Sequence, residues 1–512
     1  MQSYQRVSHT APRVYLFFAR PTIQNHGRAR MKRPNIVLIW TDEQRADTMA
    51  CYGNSHVKTP NLNRLASESV VFNTAYCAQP LCTPSRASIL TGRWPHQHGC
   101  IKNNTALSRD VPTVAEMLPD EYLSAYYGKW HLGDEVIPQR GFTEWCSFEE
   151  EYRPYYSKPE YLDTMSDYHH FLVKNGFRPD KTAADGARTF SRGFSAAMAE
   201  RYTKASFIGR EAARFIHDRS AARSAQPFFL SVNMLEPHMP FFGPLNDMYD
   251  PDQLPVGPTF ARKPGDGAAW RNRFLADRYE AEGHSGYPLK TQNDWRRLRA
   301  NYYGLVSLVD SAVGTILDSI ADAGIENDTV VVFTSDHGEM MGNHGLLAKT
   351  VMYEESVRIP LLVRAPGATP RIVDGRVSQI DLLPTLFELA GTPVADHLAG
   401  RSRAGVIRGT DELGSNDAIV EWNPAIASDE GDTATGDGAA RLARQTWRTV
   451  ISHEGYKLNL TRDDTCELFD LNADPFEQKN VFDDTDRRAI RDRLTERLHA
   501  WQKQNDDAAD VG

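Results

Sequence analysis

A cysteine at a predicted helix start is the residue in this sequence best placed to do chemistry. Residues 82–86 read Cys-Thr-Pro-Ser-Arg, and residues 90–93 read Leu-Thr-Gly-Arg. Pro84 is typical of a first helical turn and Gly92 of a helix end, so the spacing predicts a short helix that begins near Cys82. Backbone N–H groups at a helix start favour negative charge. We therefore expect an anion-binding site there and a reactive thiol whose pKa is lowered.

Three apolar runs, at residues 36–40, 228–232 and 329–333, predict strands that are buried on both faces of a parallel sheet. Each run is followed by polar residues, and ligands bind at the carboxyl ends of such strands. The polar residues that follow the three runs are Asp42, Glu43, Glu236, His238, Asp336 and His337.

Two of these strand ends carry metal-binding residue types. Asp42 and Glu43 follow the first strand, and Asp336 and His337 follow the third. Clustered carboxylates are typical of sites for Ca²⁺ or Mg²⁺. A cation there would polarise a substrate oxygen and orient the nucleophile.

The motifs at residues 82–86 and 90–93 resemble the signature of the sulfatase family. Residues 128–133, Gly-Lys-Trp-His-Leu-Gly, are similar to a second sulfatase segment, and residues 467–471 and 474–477 resemble the sulfatase C-terminal subdomain. The resemblance spans roughly residues 33 to 503. The sequence is identified on these motifs as a member of the type I, formylglycine-dependent sulfatases of the alkaline-phosphatase-like superfamily.

The resemblance and the strand pattern together predict an α/β fold with a large, mostly parallel sheet flanked by helices. A smaller C-terminal α+β subdomain is expected to carry a short antiparallel sheet. The expected organisation is a disordered N-terminal extension at residues 1–30, a catalytic domain at 31–405, and a C-terminal subdomain at 406–512. Residues 446–451 and 456–460 predict a hairpin in that subdomain, and an amphipathic pattern from residue 490 to 501 predicts a final helix.

The resemblance implies hydrolysis of a sulfate monoester to an alcohol and inorganic sulfate. A formylglycine-generating enzyme would convert Cys82 to formylglycine (3-oxoalanine), an aldehyde that is hydrated in the resting enzyme. One hydroxyl of this gem-diol attacks sulfur, and the other later expels the sulfate.

Roles for further residues follow from the same resemblance. Lys129 would bind a sulfate oxygen, and His131 would hold a formylglycine hydroxyl and accept its proton. His238 would protonate the departing ester oxygen, and Lys349 would supply a fixed charge to the sulfate. Two further assignments are Arg86, which would hold the formylglycine and the metal ligands, and Asn103, a substrate contact.

The family binds one divalent cation, usually Ca²⁺, with Mg²⁺ or Mn²⁺ as alternatives. The matching positions are Asp42, Glu43, Asp336 and His337, together with an oxygen of residue 82. Two positions depart from the pattern: Glu43 stands where the family commonly has Asp or Gln, and His337 where many members have Asn. The second ligand could therefore be Gln44, and the metal could be softer than calcium.

Composition limits the partners and the compartment. The chain has 512 residues and a formal net charge of -9, which argues against a nucleic-acid-binding surface. Six cysteines without paired metal spacing allow a reducing compartment. The apolar run at residues 14–19 is shorter than a signal-peptide core, and no run approaches a membrane span. Met31 is an alternative start of the protein. We expect a soluble, cytoplasmic protein, and export, with a misannotated start, is the alternative.

Two alternative functions remain at this stage. A phosphonate monoester or phosphodiester hydrolase of the same superfamily would share the cysteine motif, although such relatives generally lack the pair Lys129 and His131. An anion-binding protein without activity would result if Cys82 were not matured. The expected substrate is a sulfated small molecule or a sulfated carbohydrate, selected by residues 149–168 and 240–293.

Overall fold

The computed structural model describes residues 33–222, 226–424 and 437–512. The predicted extension at residues 1–30 lies outside the described residues. Residues 34–512 form one compact unit.

The described residues contain fifteen strands. They are β1 Asn35–Asp42, β2 Val70–Tyr76, β3 Leu123–Gly128, β4 Glu144–Cys146, β5 Lys181–Thr182, β6 Arg188–Thr189, β7 Phe228–Pro237, β8 Thr329–Ser335, β9 Arg358–Ile359, β10 Leu361–Arg364, β11 Arg371–Ser378, β12 Ala418–Trp422, β13 Trp447–Ile451, β14 Tyr456–Leu460 and β15 Glu467–Asp470.

Fourteen α-helices connect or cover these strands within the described ranges. They are α1 Pro60–Ser67, α2 Cys82–Thr91, α3 Pro95–His98, α4 Val114–Met117, α5 Asp167–Lys174, α6 Arg192–Ala196, α7 Lys204–Ala221, α8 Trp270–Glu282, α9 Gln292–Asp322, α10 Glu354–Val357, α11 Leu382–Leu389, α12 Ala404–Arg408, α13 Asp437–Arg444 and α14 Arg488–Gln504.

The central sheet has nine strands in the order β11-β2-β10-β8-β1-β7-β3-β4, with β9 paired to β2. Five of its eight pairings are parallel. Strands β1, β2, β3, β7 and β8 all run in the same direction, so their carboxyl ends lie at one edge of the sheet. The predicted mostly parallel α/β sheet is confirmed.

The sequence of β1 is apolar without alternation because both faces of the strand are buried. Val37 and Ile39 pack into a core that contains buried residues of α7 and α9. Ile36 and Leu38 pack into a second core, on the other face, with buried residues of α2 and α11. Because helices cover both faces, every side chain of the strand interior is removed from water, and each aliphatic one contributes about 1.5–3 kcal/mol.

Helix α9 is long and apolar enough, by length and composition, to cross a membrane. However, 72% of its most apolar window is buried inside the molecule. The helix packs against α7 and β7, which are the contacts of a core helix. The prediction that no segment spans a membrane stays a prediction.

A second, antiparallel sheet has the strand order β12-β13-β14-β15. The predicted hairpin is its β13–β14 pair, and the predicted final helix is α14, whose Leu494 and Leu498 pack on Val450 and Leu458. Both elements are confirmed, whereas the domain boundaries at 31–405 and 406–512 stay predictions. The segment 240–293, predicted to help select the substrate, contains helix α8.

Candidate active site

Most of the predicted site residues lie at or after the ends of β1, β2, β3, β7 and β8, which run in the same direction. Since the carboxyl ends of these strands meet at one sheet edge, segments that are far apart in the chain converge there. The residues at this edge are Asp42 at the end of β1 and Glu43 after it, Cys82 after β2, Lys129 and His131 after β3, His238 after β7, and Asp336 and His337 after β8.

Cys82 is the first residue of α2 and is fully buried. Its Sγ lies 3.6 Å from Oδ1 of Asp42 and 3.4 Å from Nε2 of His337. The helix ends, as predicted, at Gly92, whose φ of 63° is in the left-handed region that glycine tolerates. The cysteine therefore lies between two strand ends, at the position its motif predicts.

The expectation of a lowered thiol pKa is wrong. Burial, and then the charge of Asp42, raise the pKa of the Cys82 thiol well above its ordinary value. Lys349 and Lys129 act in the opposite direction but do not outweigh burial. Removal of a thiol from water disfavours its charged form.

Arg86 joins the two aspartates of the site. Its Nη2 donates to Oδ2 of Asp42 at 2.6 Å and to Oδ2 of Asp336 at 3.0 Å, and all three side chains are fully buried. Its Nη1 donates to the carbonyl of Lys129 at 2.9 Å. The planar guanidinium thus sets the separation of the two carboxylates.

The two aspartates carry different charge environments. Burial acts to raise the pKa of Asp42, but Lys129, whose Nζ lies 2.8 Å from Oδ2, and Arg86 hold it well below its ordinary value. Burial and the neighbouring Asp42 raise the pKa of Asp336. Two carboxylates this close are stable together only beside compensating cations.

Four ligand atoms form a group of the kind that holds a metal. One atom each from Asp42, Cys82, Asp336 and His337 lies within 4.8 Å of every other. Nδ1 of His337 is 2.9 Å from the carbonyl oxygen of Gly338, which only accepts, so Nδ1 donates and Nε2 faces the group. The oxygen and imidazole donors fit a divalent cation.

Glu43 belongs to a second group of possible ligands, with Asp42 and His238. Its φ is 65°, a left-handed conformation for a residue with a side chain, and its N–H donates to Oδ1 of Asp336 at 3.1 Å. Oε1 accepts from Lys349, whereas Oε2 is buried and has no hydrogen-bond partner among the described residues. A cation beside Oε2 would remove that deficit.

Two more observations concern this end of β1. Burial acts to raise the pKa of Glu43, but His238 and Lys349 outweigh it and lower the pKa. The side-chain amide of Gln44, the alternative ligand, donates to Oγ1 of Thr48 at 3.2 Å. The side chain of Glu43 therefore lies beside Lys349 and His238. The choice between Glu43 and Gln44 as the second metal ligand stays a prediction.

His238 and Lys349 lie side by side over Glu43. Nζ of Lys349 is 3.4 Å from Nε2 of His238, which is 3.8 Å from Oε1 of Glu43. Nδ1 of His238 donates to the carbonyl of Met239 at 2.8 Å, so Nε2 points toward the lysine. The imidazole Nε2 of His238 and the ammonium group of Lys349 are therefore neighbours in the site.

His131 also has a left-handed backbone, with φ 57°. Its carbonyl accepts from Oγ1 of Thr83 at 2.9 Å, which joins this loop to the residue after Cys82. Its Nε2 lies 2.9 Å from Oδ1 of Asn104. The loop after β3 is thus held directly against the start of α2.

Asn103 occupies a different place from the other predicted residues. Its Oδ1 accepts from the N–H of Thr83 at 3.0 Å, so it caps the first turn of α2. Its predicted substrate contact stays a prediction.

The sequence analysis missed Asn233, in β7, whose Oδ1 accepts from Arg86 at 2.6 Å. A polar residue inside an apolar strand was the signal that could have identified it. Asn104, the partner of His131, carried no such signal.

The fold and the site together define the class of protein: an alkaline-phosphatase-like α/β enzyme with a buried, cation-rich site at its sheet edge. A family model described as Sulfatase matches residues 34–392. The chain belongs to the sulfatase family and is a sulfuric ester hydrolase.

Three similar proteins cover most of the chain. The sulfatase YidJ of Escherichia coli K12 is 30% identical over 477 residues, which are 91% of this chain and 87% of YidJ. An N-acetylglucosamine-6-O-sulfatase of Bacteroides thetaiotaomicron is 27% identical over 94% of this chain and 88% of its own. The solved phosphonate monoester hydrolase SpPMH from Silicibacter pomeroyi has a TM-score of 0.75 and 25% identity, over 93% of this chain and 96% of its own.

Proposed function

We propose that this sulfatase hydrolyses the sulfate monoester of a carbohydrate, with formylglycine derived from Cys82 and one bound Ca²⁺. The observation that carries the proposal is the position of Cys82, whose Sγ lies within 3.6 Å of both Asp42 and His337 at the shared strand edge. An oxygen on the same Cβ would face the same carboxylate and imidazole.

The cation would be held by Asp42, Asp336, His337 and residue 82, with Glu43 as a further carboxylate. A bound cation supplies Lewis-acid polarisation of a sulfate oxygen and fixes the orientation of residue 82. Oε2 of Glu43, which is buried without a hydrogen-bond partner in the described part of the chain, supports this assignment, as does the donor set of oxygens and one imidazole. Arg86 keeps the two aspartates in register for it.

Formylglycine supplies, in its hydrated form, the hydroxyl that attacks sulfur. The side chains around residue 82 then act on charge and protons. Lys129 and Lys349 bring positive charge to the sulfate oxygens, where negative charge accumulates as the ester bond breaks. His238 donates a proton from Nε2 to the departing alcohol oxygen, and His131 accepts the proton of the second hydroxyl when sulfate leaves.

A carbohydrate is the substrate class that the site mouth supports. An open cavity of about 510 Å³ lies there. Its lining is mainly aromatic and apolar, with few charged side chains, and includes Tyr152, Tyr155, Pro154, Arg192 and Asn104. Aromatic faces and amide groups are typical of surfaces that bind sugar rings. The similarity to an N-acetylglucosamine-6-O-sulfatase supports the same class.

The test combines mass spectrometry with parallel assays. Protein co-expressed with a formylglycine-generating enzyme is digested, and the peptide with residue 82 is expected to carry the aldehyde. The same sample is assayed on 4-nitrophenyl sulfate and on N-acetylglucosamine 6-sulfate, and is expected to release sulfate from both. An unmodified thiol in fully active protein would overturn the mechanism.

Phosphonate monoester hydrolysis is the second candidate, because the fold is similar to that of SpPMH. The positions of Lys129 and His131 favour sulfate, since by family resemblance the phosphonate enzymes generally lack this pair. A phenyl phosphonate monoester is the substrate for the comparison. A kcat/KM higher on this ester than on every sulfate ester would select the alternative.

A further inference from the structure

A tyrosine beside the site is stacked on the imidazole of His131. Tyr152 lies between β4 and α5 and is 5% exposed. The centroids of the two rings are 4.0 Å apart and their planes differ by 24°. Nζ of Lys129 lies 5.6 Å from the centroid of the same phenol. One aromatic ring therefore faces both functional side chains of residues 128–133.

Arg192 and Glu149 hold the hydroxyl end of Tyr152 in place. Nη2 of Arg192 donates to Oη of Tyr152 at 2.9 Å and to Oε2 of Glu149 at 2.7 Å. Glu149 is fully buried and also pairs with Lys204. Burial acts to raise the pKa of Glu149, but Arg192 and Lys204 lower it to about 2. The carboxylate is therefore ionised at neutral pH and anchors the arginine.

His131 is thus fixed on two sides. Its ring edge meets Oδ1 of Asn104 at 2.9 Å, and its ring face meets Tyr152. An aromatic face is attracted to a cation, so the stack favours the protonated imidazole over the neutral one. If His131 accepts a proton during turnover, the tyrosine ring stabilises the imidazolium that forms.

We propose that Tyr152 is a positioning residue for His131, and that Glu149 and Arg192 hold it in place. The inference rests on the proposed function in one respect, the transfer of a proton to His131. The stack sets the plane of the imidazole and stabilises its charged form. The hydrogen bonds of Arg192 to Tyr152 and Glu149 prevent the phenol from rotating into the adjacent cavity, which Tyr152 and Arg192 both line.

The first test compares Tyr152→Leu, which removes the ring, with Tyr152→Phe, which keeps the stack and loses only the hydroxyl. Tyr161→Leu, the same change in the same segment, is the control. Tyr152→Leu is expected to lower kcat on 4-nitrophenyl sulfate by about 10- to 100-fold with KM changed by less than about 3-fold. Tyr152→Phe is expected to retain more of the wild-type kcat than Tyr152→Leu does, because its ring still faces the imidazole.

The pH profile separates positioning from a general loss of structure. Without the aromatic face the charged imidazole is less stable, so the acidic limb of the kcat profile is expected to move to lower pH in Tyr152→Leu. An unchanged profile, or equal impairment in Tyr152→Phe, would overturn the proposal. Tyr152→Met, which also removes the ring but keeps a longer apolar side chain, is the second variant if Tyr152→Leu does not fold, and is expected to shift the limb in the same direction.

A second readout does not depend on turnover. Histidine-labelled protein is titrated by NMR, and the signal of His131 among the sixteen histidines is assigned with His131→Gln. The pKa of His131 is expected to be lower in Tyr152→Leu than in wild type. A lower value in a protein that cleaves no sulfate ester would support the stack and overturn the proposed function. An unchanged value in an active enzyme would overturn the stack alone.

Discussion

Sγ of Cys82 lies 3.4 Å from Nε2 of His337, although 255 residues separate them in the chain. The contact exists because β2 and β8 point in the same direction in one sheet, so that the start of α2 meets the residues after β8. A chemical change at residue 82 is therefore made directly against a predicted metal ligand.

Cys82→Ala is expected to reduce release of 4-nitrophenol from its sulfate ester to the background rate, because no side chain remains that can be oxidised to an aldehyde. Cys51→Ala is the matched control, since Cys51 is only partly buried and belongs to neither ligand group. Its activity is expected to stay within about 2-fold of wild type. Activity of Cys82→Ala equal to that of wild type would refute the assignment.

Lys349→Ala removes the cation that lies beside Glu43 and His238. We expect kcat/KM to fall by at least about 100-fold, because the charge that forms on the sulfate and leaving oxygens loses a fixed partner. Lys263→Ala removes an exposed lysine that pairs with Asp277 and Glu280, and is expected to change kcat/KM by less than about 2-fold. Steady-state kinetics of both variants decide the matter, and equal values would contradict a role of Lys349 in catalysis.

Purified enzyme is expected to contain about one divalent ion per chain, measured by elemental analysis. Removal with a chelator is expected to abolish activity and lower the Tm, because Asp42, Asp336 and Glu43 then face one another with less positive charge. Addition of Ca²⁺ is expected to restore both. His337→Ala retains all three carboxylates and is expected to bind the ion more weakly. Full activity in metal-free protein would exclude the site.

The lowered pKa of Glu149 predicts that the free energy of unfolding decreases in acid. Its pKa in the folded state is about 2, below its ordinary 4.5, so the unfolded chain takes up a proton first as the pH falls. The contribution, about 3 kcal/mol, is complete above pH ~4.5 and disappears as the pH falls toward ~2. Denaturant unfolding at several pH values is expected to show this loss in wild type.

The comparison variant is Glu149→Gln, which cannot ionise. Its free energy of unfolding is expected to be lower at pH 7, by about 3–5 kcal/mol, because Arg192 and Lys204 lose a buried counter-ion. It is also expected to depend less on pH between ~5 and ~3 than wild type does. Parallel pH curves for the two proteins would contradict the assigned ionisation.

Local sequence patterns were sufficient for much of the fold and for the place of the site. Residues 36–40 are apolar without alternation because helices cover both faces of β1, and this pattern is visible in the chain itself. The start of α2 at Cys82, its end at Gly92 and the hairpin of β13 and β14 likewise depend on near neighbours. Turn chemistry and strand direction then indicate that the polar strand ends converge.

Only the tertiary structure decided the electrostatics and the supporting contacts. The pKa of the Cys82 thiol is raised because burial and Asp42, 40 residues away, outweigh the opposing charges of Lys349 and Lys129. Asn103 caps α2, Glu43 meets Lys349, and Tyr152 covers His131 through contacts that no spacing in the chain encodes. The desolvation of a group and its pairing with distant charges depend on all its neighbours in space. Residue types therefore predicted which chemistry is available. Packing determined the charge and the orientation of each group.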